Sequence, residues 1–368
     1  MQSIHIAFRS FLKSPGFAIT VILTIALGIG ANTAIFTLVH AVLMKSLPVV
    51  DPKTLYRIGD RDDCCVNGGF ENDDGDFDLF SYELYRHFRD TTPEFEQLAA
   101  MQSGGNMVAV RRGSEPAKSQ RSEYVSGNYF SVFGIGAFAG RPLSVVDDTK
   151  GAPPAVMMSY QAWRSDFGGD PAVVGSTFFI QSQPVTVVGI APPGFFGDRI
   201  TSDPPAFWIP LAVEPVIEPS SLLPLAESNW LYVVGRVKPG ISVGSLQAKL
   251  SNSLRNWLST QNAYTNNGGS TVIPKQHVVV TPGGAGIQNL QQQTGKGLRL
   301  LMTISGLVLL VACANVANLL LARGATRKSE TSIRMAMGAA RRVCNRSSST
   351  ARALLKLCAS AKPAGTAS

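Results

Sequence analysis

The chain has 368 residues, 45% of them hydrophobic and 16% charged, with 33 Lys+Arg against 25 Asp+Glu for a formal net charge of +8. That balance is too apolar for a disordered tail-like protein, and the chain is long enough to bury a core of its own. The basic excess invites a nucleic-acid reading, but residues 45–296 carry 20 basic and 24 acidic residues. The excess therefore lies in the flanks, beside two apolar runs, and no nucleic-acid partner is expected.

Residues 1–16 place Ile4, Ile6, Phe8, Phe11 and Leu12 among His5, Arg9 and Lys13. This pattern reads as a cytoplasmic amphipathic flank, or as a plain positive flank, ended by Ser14-Pro15-Gly16. Residues 17–44 contain no Asp, Glu, Lys or Arg. They exceed the ~20 residues that cross a bilayer as a helix, and the run is too long for a signal-peptide core. Within it Gly28, Gly30 and Ala34 are small, and Asn32, Thr33 and His40 are polar. Small and polar side chains at this depth predict packing against other helices. A second uncharged run, 298–321 apart from Arg299 at its edge, carries Asn315 and Asn318 in the same sense.

Lys and Arg cluster before the first run (Arg9, Lys13) and after the second (Arg323, Arg327, Lys328, Arg334, Arg341, Arg342). Positive flanks face the cytoplasm, so both termini are expected inside and residues 45–297 outside. The expected fold is a membrane protein in which two transmembrane α-helices flank a large exported α+β domain. In that domain Leu55–Ile58, Met107–Val110, Val185–Val188 and Leu231–Val234 read as strands. Ser81–Arg89 and Ser245–Leu258 have helical apolar spacing. The acidic stretch Asn67–Asp78 reads as a solvated loop, and Asn262–Ser270 as a flexible one. Absence of a regular strand–helix alternation argues for α+β, in one lobe or two.

Catalytic motifs are hard to find. There is no phosphate-binding G-x-x-x-x-G-K-[ST], no H-E-x-x-H and no C-x-x-C in the chain. The four histidines are scattered, and Glu71, Asp73, Asp74, Asp76 and Asp78 lack the order of a calcium loop. No cofactor or metal is expected, and the chain does not read as an enzyme. Residues 322–342 contain Ile333, Met335, Ala336, Met337 and Ala339 inside a charged helix interrupted by Gly338. An interfacial helix on anionic lipid and a docking segment for a cytoplasmic partner both fit this pattern.

These residues resemble the MacB-like and FtsX-like permeases of ABC transporters, in particular the lone, duplicated permeases. The resemblance is carried by ALGIGANTAIFTLVHAVL in the first run and by Gly127-Asn128-Tyr129-Phe130, Gly168-Gly169-Asp170-Pro171 and the stretch from Val187 to Phe195. Trp208-Ile209-Pro210-Leu211, the stretch from Val234 to Gly240, ACANVANLLLARG and SIRMAMGAARR complete it. It implies a MacB-like periplasmic core domain on a multi-pass inner-membrane permease, acting as a homodimer or paired permease in efflux or mechanotransmission. It also implies a separate cytoplasmic ABC ATPase that docks where Arg323, Glu330, Ile333, Arg334, Gly338 and Arg341 lie. Family character stops near Val343, where residues 343–368 turn to Ser, Ala and Lys, so this tail is expected to be aberrant and without designed structure. The alternatives are a membrane scaffold that binds an envelope protein and a non-functional truncated fragment.

Overall fold

The computed structural model describes residues 15–43, 47–61, 74–201, 203–266, 269–287, 297, 300–311, 313–314, 317–318 and 321. The chain divides into two units, Met1–Ala41 with Thr294–Ser368, and Val42–Gln293.

In the first unit, helix α1 runs over Pro15–Leu43, 29 residues. Pro15 occupies the first helical position, where a missing N–H costs nothing. The expectation that Ser14-Pro15-Gly16 interrupts the chain before the helix thus becomes a helix start. Residues 300–311 are also helical. Ile22, Leu23, Leu27, Leu300, Leu307 and Leu310 are exposed within this unit. The expected spans, 17–44 and 298–321, fall only partly among the residues whose side chains are described. Among the described residues, no helix is long and apolar enough to cross a membrane. The flank 1–14, the segment 322–342 and the tail 343–368 lie outside the described residues.

The second unit is α+β and has two lobes. In the first lobe, β1 (Leu55–Ile58), β2 (Phe95–Gln102), β10 (Leu231–Val237) and β11 (Val280–Pro282) form an antiparallel sheet in the order β11-β1-β10-β2. Successive side chains of a strand point to opposite faces. Accordingly Leu231 and Val233 enter one apolar core while Tyr232 and Val234 enter another, and Leu98 and Ala100 alternate likewise with Ala99 and Met101. A sheet covered on both faces explains why Leu231–Val234 is continuously apolar in sequence.

One face of this sheet is covered by helix α2 (Tyr82–Thr91), whose N-cap Ser81 accepts a hydrogen bond from the Leu84 amide at 3.3 Å. Leu84, Tyr85 and Phe88 supply its buried stripe. The other face carries α3 (Tyr129–Phe133), which ends at Gly134 in the left-handed conformation.

The second lobe is a closed circuit of six strands. It joins β3 (Asn106–Arg112), β4 (Lys118–Val125), β7 (Thr177–Ile180), β8 (Gln183–Ile190), β6 (Ala155–Met158) and β9 (Phe207–Pro210), and β9 pairs back in parallel to β4. A short β5 (Ala139–Gly140) pairs with β8. Closure leaves no open edge among these strands. The β7–β8 hairpin turns through Gln181 and Ser182, both at positive φ (48° and 69°), the geometry of a type I′ turn in residues that do not advertise it. Helix α4 (Tyr160–Asp166) and the short α5 (Glu214–Ile217) follow strands β6 and β9. The lobes meet at a single strand-pair position, Met101 opposite Val125, although one apolar core runs through both.

Helix α6 (Val243–Thr260) covers the first lobe with Leu246, Leu250, Leu254 and Leu258, as the spacing predicts. The stretch expected to be a flexible loop instead forms two short helical turns, α7 (Asn262–Thr265) and α8 (Gly269–Val272). Tyr264 anchors the first: it is buried, and its hydroxyl accepts from Asn229 Nδ2 at 2.9 Å. Of the acidic stretch, residues 67–73, with Glu71 and Asp73, lie outside the described residues, and its described end at 74–78 is tied down instead of free in solvent. Asp78 is buried, and its Oδ1 accepts the amides of Asp60 and Arg61 at 3.3 Å each. Asp76 pairs with Arg61 at 3.2 Å and with His277 Nε2 at 2.8 Å.

Candidate functional site

The residues expected to pack helices are distributed unevenly. Gly28 is buried, Asn32 is half-buried, and Gly30, Ala34 and Asn318 are exposed within this unit. Asn315 lies outside the described residues, as do the expected coupling residues Arg323, Glu330, Ile333, Arg334, Gly338 and Arg341. Asn32 meets the second apolar segment. The Ser305 hydroxyl donates to Asn32 Oδ1 at 2.7 Å, and Asn32 Nδ2 donates to the Ser305 carbonyl at 3.4 Å and to the Gly28 carbonyl at 3.2 Å. Ser305, 6% exposed, was not singled out by sequence. A lone serine in an apolar run gives no signal until its partner is known. Thr33 and Thr37 instead bond back to the carbonyls of Ile29 and Thr33, each at 2.8 Å.

In the second unit the two ends of the domain emerge side by side. The Leu47 amide donates to the Gly284 carbonyl at 3.0 Å, and the Gly283 amide to the Leu55 carbonyl at 2.8 Å. Each end is then fastened by an arginine. At the entry, Arg236 of β10 donates through Nε to the Val132 carbonyl at 2.7 Å and through Nη1 to Thr54 Oγ1 at 2.6 Å. Its Nη2 reaches the Val50 carbonyl. The Val50 amide in turn donates to the Phe133 carbonyl at 3.1 Å. Chain entering the domain is thus tied to β10 and α3 at once.

At the exit, the Ile287 amide donates to the Asp198 carbonyl at 2.8 Å, and Ile287 bridges to Arg199. Gly286, at φ +75°, allows this approach, because a Cβ there would collide with the Asp198 carbonyl oxygen. The side chains of this pair turn into the junction between the lobes. Arg199 Nη2 donates to Glu123 Oε1 at 2.6 Å, to Asp198 Oδ2 at 3.0 Å and to the Gln102 carbonyl at 2.7 Å; Nη1 reaches the Ser103 carbonyl at 2.8 Å. One guanidinium thereby joins the end of β2 in the first lobe to β4 in the second. Glu123 also accepts from Trp208 Nε1 at 3.2 Å.

Both carboxylate side chains are 2% exposed. Burial, reinforced by the charge of Asp198, holds the Glu123 carboxyl well above the usual carboxylate range, against the opposing pull of Arg199. Asp198-Arg199 lies just past the family-like run ending at Phe195, and an Asp-Arg dipeptide is too common to mark itself.

The profile of the MacB-like periplasmic core domain matches residues 18–253. Among curated proteins, none matches the chain. Solved structures similar to it include the periplasmic region of MacB from Actinobacillus actinomycetemcomitans, at 12% identity and TM-score 0.44, covering 66% of this chain and 94% of that one. A domain of a putative permease from Porphyromonas gingivalis aligns at 14% identity and TM-score 0.45, covering 66% and 98%. The extracellular domain of the noncanonical ABC-type transporter YknZ from Gram-positive bacteria aligns at 13% and TM-score 0.39, covering 57% and 97%. With 236 consecutive residues under the profile, the chain belongs to the family of MacB-like ABC transporter permeases that carry this periplasmic core domain.

Proposed function

We propose that the chain is the permease subunit of a MacB/FtsX-type ABC transporter, coupling a separate cytoplasmic ATPase to movement of an exported domain. Residues 17–44 and 298–321 cross the inner membrane, both termini are cytoplasmic, and the permease works as a homodimer or paired permease. The uncharged runs and their positive flanks support this topology. The observation that carries the mechanism is the pairing of the domain's two ends at Leu47 and Gly284. Chain arriving from one expected span and chain leaving toward the other share one sheet edge, so displacement of either is delivered to β1, β10 and β11 together. The protein supplies the lever, and ATP hydrolysis belongs to the partner.

Substitution of Arg334 and Arg341 by Glu tests the coupling segment. An ATPase that copurifies with the wild-type chain is expected to be lost from the double variant while the membrane-extracted chain stays intact. Retention of the ATPase would overturn the assignment of that segment.

A further inference from the structure

The Arg199 cluster holds more negative charge than its central cation balances. Two carboxylates, Glu123 from β4 and Asp198 from the loop after β8, meet one guanidinium nitrogen at 2.6 and 3.0 Å with both side chains 2% exposed. The groups facing them come from every packed element. Tyr129 projects from α3, its hydroxyl pushed far up by burial and by Asp198 and Glu123. Tyr232 of β10 lies under Arg199 at 5.5 Å and under Arg57 of β1 at 4.7 Å from the ring centre. Arg121 of β4 is held 2.8 Å from Asp203. A small cavity lined by Arg121, Glu123, Arg199, Thr201 and Asp203 connects the cluster toward the outside. Two ionised carboxylates against a single contacting guanidinium in so dry a place repel each other, and a proton on Glu123 removes that repulsion.

We propose that Glu123 binds a proton in the closed joint between the lobes, making the Glu123–Asp198–Arg199 cluster a proton-gated lock wired to the exit segment. The wiring is covalent and short. Asp198 and Arg199, whose side chains close the lock, are the residues whose backbone holds Ile287. With the proton on Glu123, Arg199 bridges β2 and β4 in a neutral cluster. When external pH rises and the proton leaves through the cavity, the second negative charge loosens the bridge and with it the anchorage of residues 283–287. The direction follows from the raised affinity of Glu123 for its proton: the stabilisation is present at acidic pH and lost as pH rises through the folded-state value. The lock stands on the exported domain alone and does not depend on the ATPase reading.

Hydrogen exchange of the full-length chain in lipid nanodiscs tests this, corrected for the intrinsic pH dependence of amide exchange. Peptides covering 195–200 and 283–287 are expected to exchange slowly at mildly acidic pH and faster at mildly alkaline pH. Glu123→Gln, which fixes the neutral form, is expected to lose that response and stay slow. Asp198→Asn, which removes the neighbouring like charge, is expected to retain a response whose midpoint moves to lower pH. Infrared spectroscopy gives a readout that needs no variant at Asp198: a protonated-carboxyl band that titrates in the wild type and is lost in Glu123→Gln, with Asp148→Asn and Glu214→Gln as controls for the other carboxyls that burial raises. Equal exchange at both pH values in the wild type, an unchanged response in Glu123→Gln, or an unmoved midpoint in Asp198→Asn would each overturn the proposal.

Discussion

The two arginines that fasten the ends of the periplasmic core domain do so by different chemistry. Arg236, at the entry, spends its guanidinium on backbone carbonyls and one threonine hydroxyl near the surface, and carboxylates play no part in the contacts described above. Arg199, at the exit, is enclosed with two carboxylates and two carbonyls at the seam between the lobes. Neutral acceptors make the first clamp indifferent to pH and modest in strength. Buried charge makes the second costly to break and sensitive to protonation. The two clamps therefore differ in the chemistry that would release them.

The largest expected effect comes from Arg199→Ala. It leaves two buried carboxylates without their cation, and loss of one partner from such a cluster costs roughly 3–5 kcal/mol. Chemical denaturation of the extracted chain should show a loss of that order; a change within about 0.5 kcal/mol, the size of an ordinary surface substitution, would mean the seam is not held there. Arg236→Ala should cost less, about 1–3 kcal/mol, with faster hydrogen exchange confined to residues 50–54. Equal costs for the two substitutions would erase the contrast between the clamps.

A third expectation concerns Asp148, which ties the segment after β4 to the segment after β9 by accepting the amides of Gly127 at 2.9 Å and Ala212 at 2.7 Å. Burial pushes its carboxyl up to about 6, against the opposing pull of those two amides. Because this folded-state value lies above the ordinary one, the contribution is present at acidic pH and lost as pH rises through about 6. The melting temperature of Glu123→Gln should therefore still fall across that interval, and adding Asp148→Asn should reduce the fall, leaving the part due to Glu214, whose carboxyl burial also raises. The smallest effect is expected in the first unit, where Ser305→Ala removes the hydrogen bond to Asn32. With both segments in the bilayer, as proposed, such a bond is worth about 0.6 kcal/mol on average. A steric-trapping measurement that found several times that value would make the pair a central support of the unit.

Much of the exported fold was legible in the chain. Leu55–Ile58 and Leu231–Val234 show themselves as short apolar runs and Ser245–Leu258 by its leucine spacing, and each is found where it reads. What stayed hidden depends on partners distant in sequence. Asp78 looks like one more residue of a solvated acidic loop until the amides of Asp60 and Arg61 close over it. Tyr264 sits among Asn and Gly yet pins a helical turn through Asn229. The closed strand circuit needs β4 and β9 to pair in parallel across more than eighty residues, which no local pattern encodes. The arginine locks are hidden for the same reason: Arg199 and Arg236 are ordinary surface-type residues whose roles come only from where Val50, Glu123 and Ile287 arrive.

Displacement of the paired ends is proposed to move β1, β10 and β11, all strands of the first lobe, and is therefore expected to change that lobe's relation to the second. Spin labels at Arg86→Cys on α2 and Glu115→Cys after β3, in an otherwise cysteine-free chain reconstituted with its ATPase, measure that relation by electron–electron distance. The account predicts a distance distribution that shifts when ATP is added and returns after hydrolysis. An unchanged distribution through the whole cycle, with the ATPase bound and turning over, would contradict it.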